Sequence, residues 1–214
     1  MKFEIAKYPE GLSLAEYLQI EQDLVKDIKE PTLFTWIVRP TVIYGRHQSA
    51  EVEVNETYCR EHGIEVVQRK SGGGCVYADE GNLMISFVTP STHSEQVFSD
   101  FLTLIAEALQ AKGLPAVTTA HNDILVDGRK VSGWACYTTP TGTIVHGTML
   151  YDVNLEALQQ AITPTKEKLN KHGVASVRQR VVNLKEITHV FSDIHALRQY
   201  IEAYGNKFTG AINA

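Results

Sequence analysis

Along the 214 residues, runs of apolar and polar positions switch between helical and strand spacing. Over residues 12–30, Leu14, Leu18 and Glu21 share a face, with Ile20 and Leu24 close by and acidic and polar residues elsewhere. That spacing predicts an amphipathic helix. Leu33 to Val38 reads as a strand ended by Arg39-Pro40, and Thr41 to Gly45 as a second, leading to the polar cluster Arg46-His47-Gln48. Residues 51–62 look helical, with Gly63 as a stop. Ile64 to Arg69 is a strand feeding a run of three glycines, and Leu83 to Val88 is another, ended by Pro90. Thr92 with Glu95 has the form of a capping box. The helix behind it carries Phe98, Phe101, Leu102, Ile105 and Leu109 on one side and stops at Gly113. Residues 123–153 read as a three-stranded meander, with Asp127-Gly128 as a tight hairpin turn and Pro140-Thr141-Gly142 as the next. Asn154 is placed to cap a helix through Ile162. Ser192 is placed to cap a last helix with Ile194, Leu197, Tyr200 and Ile201 inward, closed by Gly205.

Strands and helices mix without strict alternation, which implies an α/β (α+β mixed) fold: a mixed sheet with helices packed on it. There is no internal repeat, low-complexity segment or linker, so a single domain over residues 1–214 is expected. Apolar residues at 43% and charged residues at 21% are ordinary for a globular protein. A net charge of −5 argues against a general nucleic-acid binder. No apolar run approaches the ~18 residues of a membrane span, and the N-terminus is not a signal peptide. Three scattered cysteines fit a reducing cytosol and offer neither a disulfide framework nor a zinc site.

Two stretches suggest chemistry. In Arg69-Lys70-Ser71-Gly72-Gly73-Gly74-Cys75-Val76-Tyr77, successive N–H groups without Cβ atoms can turn toward an anion. Arg69, Lys70 and the Ser71 hydroxyl suit the same anion. A bulge or plain loop is the other reading. The second stretch is Ile124 to Cys136. Strand alternation puts Lys130, Ser132, Trp134 and Cys136 on one face, with Arg129 and Val131 on the other. Lys130 is then either a partly desolvated cation fit to stabilise a polarised carbonyl or phosphoryl oxygen, or a solvated surface charge. Gly133 suggests a close backbone approach. His121-Asn122-Asp123 is either a turn or a magnesium site, since one carboxylate plus substrate phosphates is ordinary magnesium chemistry.

With these residues in view, the chain resembles the lipoate–protein ligase family. The resemblance rests on Ser71 to Tyr77 followed by Asp79 and Gly81-Asn82, on Asn122-Asp123 with Gly128 to Gly133, and on His146 to Leu150 with Asp152. It continues in Thr163 to Leu169 and Gly173 to Leu184, and spans roughly residues 10 to 205. It implies a biotin/lipoate-ligase-like catalytic domain with a mixed, mostly antiparallel sheet. It implies ATP-dependent conversion of lipoate to lipoyl-AMP, then transfer to an acceptor lysine. By the resemblance Lys130 is catalytic. Arg69, Ser71, Gly72, Gly73, Gly74, Tyr77, Ser132, Gly133, His146 and Gly147 line the acyl-adenylate site. Asn82, Asn122, Asp123 and Lys130 serve the nucleotide, and Asp123 holds Mg2+. The implied partners are lipoyl domains of 2-oxoacid dehydrogenase acyltransferase subunits or the glycine cleavage H protein, in the cytoplasm.

The chain departs from the family pattern at Ala78, where a histidine is common, and at Gln68, where a second arginine is common. It stops at Ala214, so the C-terminal accessory domain of many relatives is expected to be absent. A separate accessory subunit, a longer parent chain or a transfer-only enzyme would each follow from that. The rivals are an octanoyl or lipoyl transferase working through a thioester on Cys75 or Cys136, and a non-catalytic binder of lipoate-like ligands.

Overall fold

The computed structural model describes residues 3–162 and 181–207. The motif residues expected at 163–169 and 173–180 lie outside them. In chain order the strands are β1 (Glu4–Ile5), β2 (Thr32–Trp36), β3 (Thr41–Tyr44), β4 (Glu65–Gln68) and β5 (Val76–Ala78). They continue with β6 (Asn82–Thr89), β7 (Ala116–Thr118), β8 (Asp123–Val126), β9 (Arg129–Thr139) and β10 (Gly142–Leu150). The described helices are α1 (Leu14–Asp27), α2 (Ala50–Glu53), α3 (Glu56–Glu61), α4 (Ser94–Gln110), α5 (Leu155–Ala161), α6 (Leu184–Ile187) and α7 (Ile194–Lys207).

A seven-stranded sheet runs β1-β2-β6-β10-β9-β8-β7, antiparallel throughout except for the parallel β1–β2 pair. A three-stranded sheet, β4-β3-β5, stands apart. Every residue of β2, β6 and β10 is buried, because helices cover both faces of the large sheet. Alternation along β6 divides the core. Leu83, Ile85 and Phe87 meet α4 and α7 through Phe101, Ile105 and Leu197. Met84 and Val88 meet α1 through Leu14, Tyr17 and Val25. A third cluster joins Val42 and Tyr77 of the small sheet to Cys59 of α3 and Leu158 of α5.

The Asp127-Gly128 hairpin forms as its residues demand, with φ of 50° and 73°. Several terminal signals resolve differently from expectation. The helix expected over 51–62 is two: Val54 bridges to Ile162, and Asn55 caps the second piece by accepting the Tyr58 N–H. Thr92 does not cap α4. His93 stands at its N-cap without a side-chain bond. At α7 the cap is Asp193, whose carboxylate accepts the Ala196 N–H at 2.8 Å, while the Ser192 hydroxyl donates to Asp193. Gly205 lies inside α7 rather than closing it, and a Cβ there would come within 2.8 Å of Leu33. Its hydrogen lets α7 sit close on β2.

The expected shared face of Lys130, Ser132, Trp134 and Cys136 is also corrected. Ile124 pairs with Ser132 and Leu125 with Lys130, so Val131 is an extra residue, a β-bulge in β9. A bulge resets the alternation. Lys130 therefore shares a side with Gly133 and Asp123. Trp134 packs on Phe101 in the core, ring centroids 5.5 Å apart, and Cys136 packs against the same cluster.

Candidate active site

The glycine run joins β4 to β5 and arches beside the large sheet. Gly73 has φ of +94°, which favours glycine. A Cβ at Gly72 or Gly74 would meet nothing within 4 Å, so those glycines keep space open in front of the loop. Among the described residues the N–H groups of Gly72, Gly73 and Gly74 donate to no backbone acceptor. The carbonyls are held behind. Arg69 donates from Nη2 to Gly72 O at 2.8 Å and Gly74 O at 2.7 Å, from Nε to Gly72 O at 3.2 Å, and from Nη1 to Ile43 O at 3.1 Å. Its guanidinium is thus largely committed to shaping the loop. Burial presses its pKa down from the usual arginine range, with a nearby Cys75 opposing.

The β8–β9 hairpin forms the opposite rim. Lys130 Nζ lies 2.7 Å from Asp123 Oδ1, both side chains partly exposed. A Cβ on Gly133 would fall 2.8 Å from Lys130 Nζ, so this glycine makes room for the ammonium over the sheet. Asn122 has φ of 63° at the turn before β8, and its carbonyl accepts the Trp134 N–H at 2.9 Å. That bond ties the turn to the strand carrying Gly133.

Between the rims lies a cavity of about 180 Å³. Leu14 and Leu18 of α1, Trp36, Ile43, Val76 and Met84 give it an apolar wall. Arg69, Gly73 and Gly74 border one side, and Asn122, Asp123, Lys130 and Gly133 another. The floor is β10. At Gly147 a Cβ would stand 2.3 Å from Trp134 Cδ2, so the indole lies flat against bare backbone there. The buried Trp134 Nε1–H has no protein acceptor among the described residues. The site therefore offers an apolar slot, a cation with a carboxylate beside it, and loop amides not spent on backbone acceptors. An apolar chain ending in a polar, anionic head fits that combination.

Residues 8–204 match the family model of the lipoyl protein ligase A/B catalytic domain. The chain belongs to that family. It is 38% identical over 172 residues to the lipoate-protein ligase LplJ of Bacillus subtilis, spanning 79% of this chain and 52% of the relative. Lipoate–protein ligase 1 of Staphylococcus aureus is 36% identical over 187 residues, 86% of this chain and 57% of the relative. Among solved structures, one from an archaeal lipoylation system of Thermoplasma acidophilum, described as a bi-partite lipoate protein ligase and its E2 lipoyl domain, superposes with a TM-score of 0.80. It is 25% identical and covers 95% of this chain and 82% of that one. The chain spans about half the length of the curated relatives it matches. The fold is the biotin/lipoate-ligase-like one that the motifs implied.

Within this lipoyl-ligase fold, most of the residues picked out by motif meet at the cavity: Arg69, Gly73, Gly74, Asn122, Asp123, Lys130, Gly133, His146 and Gly147. Ser71, fully buried, and Gly72 belong to the same loop but do not line the cavity. Three others lie elsewhere. Tyr77 is buried in the cluster beneath the small sheet, where burial first and Asp79 second raise its phenol pKa. The Ser132 hydroxyl donates to Thr148 O at 2.6 Å on the core side, a consequence of the Val131 bulge. Asn82 is fully buried, with its amide nitrogen 2.9 Å from Met84 Sδ. Ala78, where the family often has a histidine, is fully buried in β5, so a methyl group fills that position. Motif reading missed the apolar wall and Glu21, which carries a buried network described below.

Proposed function

We propose that this chain forms lipoyl-AMP from lipoate and ATP and passes the lipoyl group to one lysine of an acceptor lipoyl domain. One observation carries the reading: Lys130, Gly73 and Gly74 line the same apolar-walled cavity, and the Gly73 and Gly74 amides donate to no backbone acceptor among the described residues. In the first step a carboxylate oxygen attacks the α-phosphorus and pyrophosphate leaves. In the second, the acceptor amine attacks the acyl carbon, AMP leaves and the amine loses a proton. The first step moves negative charge onto the α-phosphate and pyrophosphate oxygens, and the second places it on the acyl oxygen and the departing phosphate. The Lys130 ammonium and loop amides are placed to offset it without reorganising. No protein nucleophile is needed, because the mixed anhydride is already activated.

Magnesium belongs to the proposal. Among the described residues no group of three or more His, Cys, Asp or Glu is arranged to hold a metal. Asp123 alone fits the pattern of one carboxylate completed by substrate phosphates. It would hold the ion, which when bound neutralises phosphate charge. The described residues act as one catalytic domain in this reading, in a cytoplasmic setting. The bi-partite Thermoplasma acidophilum ligase supports a second part, separate or appended, that completes adenylation. Its E2 lipoyl domain supports lipoyl domains of 2-oxoacid dehydrogenase acyltransferases as acceptors, with the glycine cleavage H protein as the second candidate.

A thioester transferase is the alternative, and one observation favours it: Cys75 lines the cavity. Cys136 does not. Burial pushes its thiol pKa up, away from thiolate. Mass spectrometry of an acceptor domain decides between the two. With lipoate and Mg-ATP, or with lipoyl-AMP supplied directly, the acceptor should gain one lipoyl mass, and Cys75→Ser and Cys136→Ser should retain at least about half the rate. Transfer from an acyl-protein donor without nucleotide, abolished by Cys75→Ser, would replace ligase with transferase.

A further inference from the structure

We infer that Glu21 is a positioning residue, setting the glycine loop through His146 and Ser71. The inference deepens the ligase reading and rests on it for its functional consequence. Glu21 sits on the cavity face of α1, three residues beyond Leu18, and only 1% of its surface is exposed. A carboxylate in such a place must be fully hydrogen-bonded. Its Oε1 accepts the Ser86 hydroxyl at 2.5 Å, and Ser86 in turn accepts the Trp36 Nε1–H at 2.9 Å. Its Oε2 lies 2.9 Å from His146 Nδ1, and His146 Nε2 lies 2.7 Å from Ser71 Oγ.

We take Glu21 as the acceptor and the His146 ring as neutral, and the direction of the bonds follows from that. An ionised carboxylate only accepts, so Nδ1 carries the hydrogen toward Glu21. In the neutral ring Nε2 is then an acceptor, and the Ser71 hydroxyl donates to it. Ser71 opens the glycine run, and its carbonyl also accepts the Arg46 N–H at 3.0 Å. The carboxylate thus selects the tautomer that can hold the loop. The partner that fixes a histidine's second nitrogen determines what the first can do.

Serine, histidine and acid stand in the order of an acyl-transfer triad. Ser71 is fully buried, however, and the cavity touches His146 rather than the hydroxyl. The chain of bonds has no nucleophile to offer and acts on shape. It links α1, whose leucines line the acyl wall, to the loop whose Gly73 and Gly74 line the same cavity. An occupant that seats on Leu14 and Leu18 therefore seats on the same rigid body that sets the loop.

The test begins without any substrate. In 15N-labelled protein, His146 should show a protonated Nδ1 and an unprotonated, hydrogen-bonded Nε2. Glu21→Ala should mix the tautomers and speed loop exchange, read at the Arg46 amide that the Ser71 carbonyl holds, relative to core amides, by roughly tenfold. Glu21→Gln preserves shape and keeps the measurement possible if the alanine variant does not fold; it should shift the same ring signals. Ser71→Ala should speed loop exchange while leaving the Nδ1–H in place. In turnover assays Glu21→Gln should raise the KM for the acyl substrate about tenfold and change kcat less than about threefold. Unchanged ring signals and loop exchange in both Glu21 variants would overturn the inference. Because those two readouts involve no acyl or nucleotide ligand, they stand or fall independently of the ligase reading.

Discussion

Lys130→Ala is expected to lower lipoyl transfer to the acceptor by roughly 10²–10³-fold, the usual cost of removing one preorganised donor to a developing oxyanion. Its fold should survive. Lys130 and Asp123 are both partly exposed, and pairs of that kind contribute about 0–1 kcal/mol. The Lys130 carbonyl, which accepts the Val182 N–H at 2.9 Å, stays in place. The melting temperature should therefore fall by no more than about 4 °C. Single-turnover transfer from preformed lipoyl-AMP is the informative assay, because it isolates the step that depends on the ammonium. Wild-type transfer in the variant would take Lys130 out of the mechanism.

Arg69→Lys should be nearly as damaging, for a different reason. The guanidinium makes four hydrogen bonds to three carbonyls, those of Ile43, Gly72 and Gly74. A planar fork can span them and a compact ammonium cannot. At least one or two buried carbonyls would then be left unpaired, at about 1–3 kcal/mol each. The expected loss is about 2–4 kcal/mol, or roughly 5–15 °C in melting temperature. The loop should also lose its shape, so affinity for lipoyl-AMP should fall at least about tenfold by calorimetry. A variant as stable and as tight-binding as wild type would mean that the carbonyl contacts do not shape the loop. Arg69 is only 7% exposed and turns its guanidinium to backbone carbonyls, so the variant reads its contribution to loop shape.

How far the sequence revealed this arrangement depended on the range of the forces involved. Local signals read well. The stripe of α1, the Asp127-Gly128 turn and the Asn154 cap are decided within a few residues, and the structure repeats them. Elements set by distant partners did not. Strands β1 and β7 are two and three residues long and exist through their neighbours. The break between α2 and α3 follows from contacts with Ile162 and Ala161, more than a hundred residues away. Of the site, the residues with unusual chemistry or unusual freedom stood out: Lys130, Asp123 and the glycines. Glu21 was hidden by its identity, since a glutamate on an amphipathic helix ordinarily faces water. The usable signal was its position, on the apolar stripe with Leu14 and Leu18 rather than opposite them.

The extra residue at Val131 has a consequence for how this site could be altered. Strand side chains keep strict parity, so one inserted residue works as a switch between inside and outside. Were Val131 drawn into regular pairing instead of bulging out, Lys130 would fall on the side that Ile124 and Ser132 occupy, and its ammonium would be aimed at the packed aromatics around Trp134. Every chemical group of the site would still be encoded, in the same order, and the reactive one would face the wrong room. Shuffling or trimming this hairpin to make new acyl specificities therefore has to preserve the unpaired residue between Lys130 and Ser132, a requirement of register that no substitution table expresses.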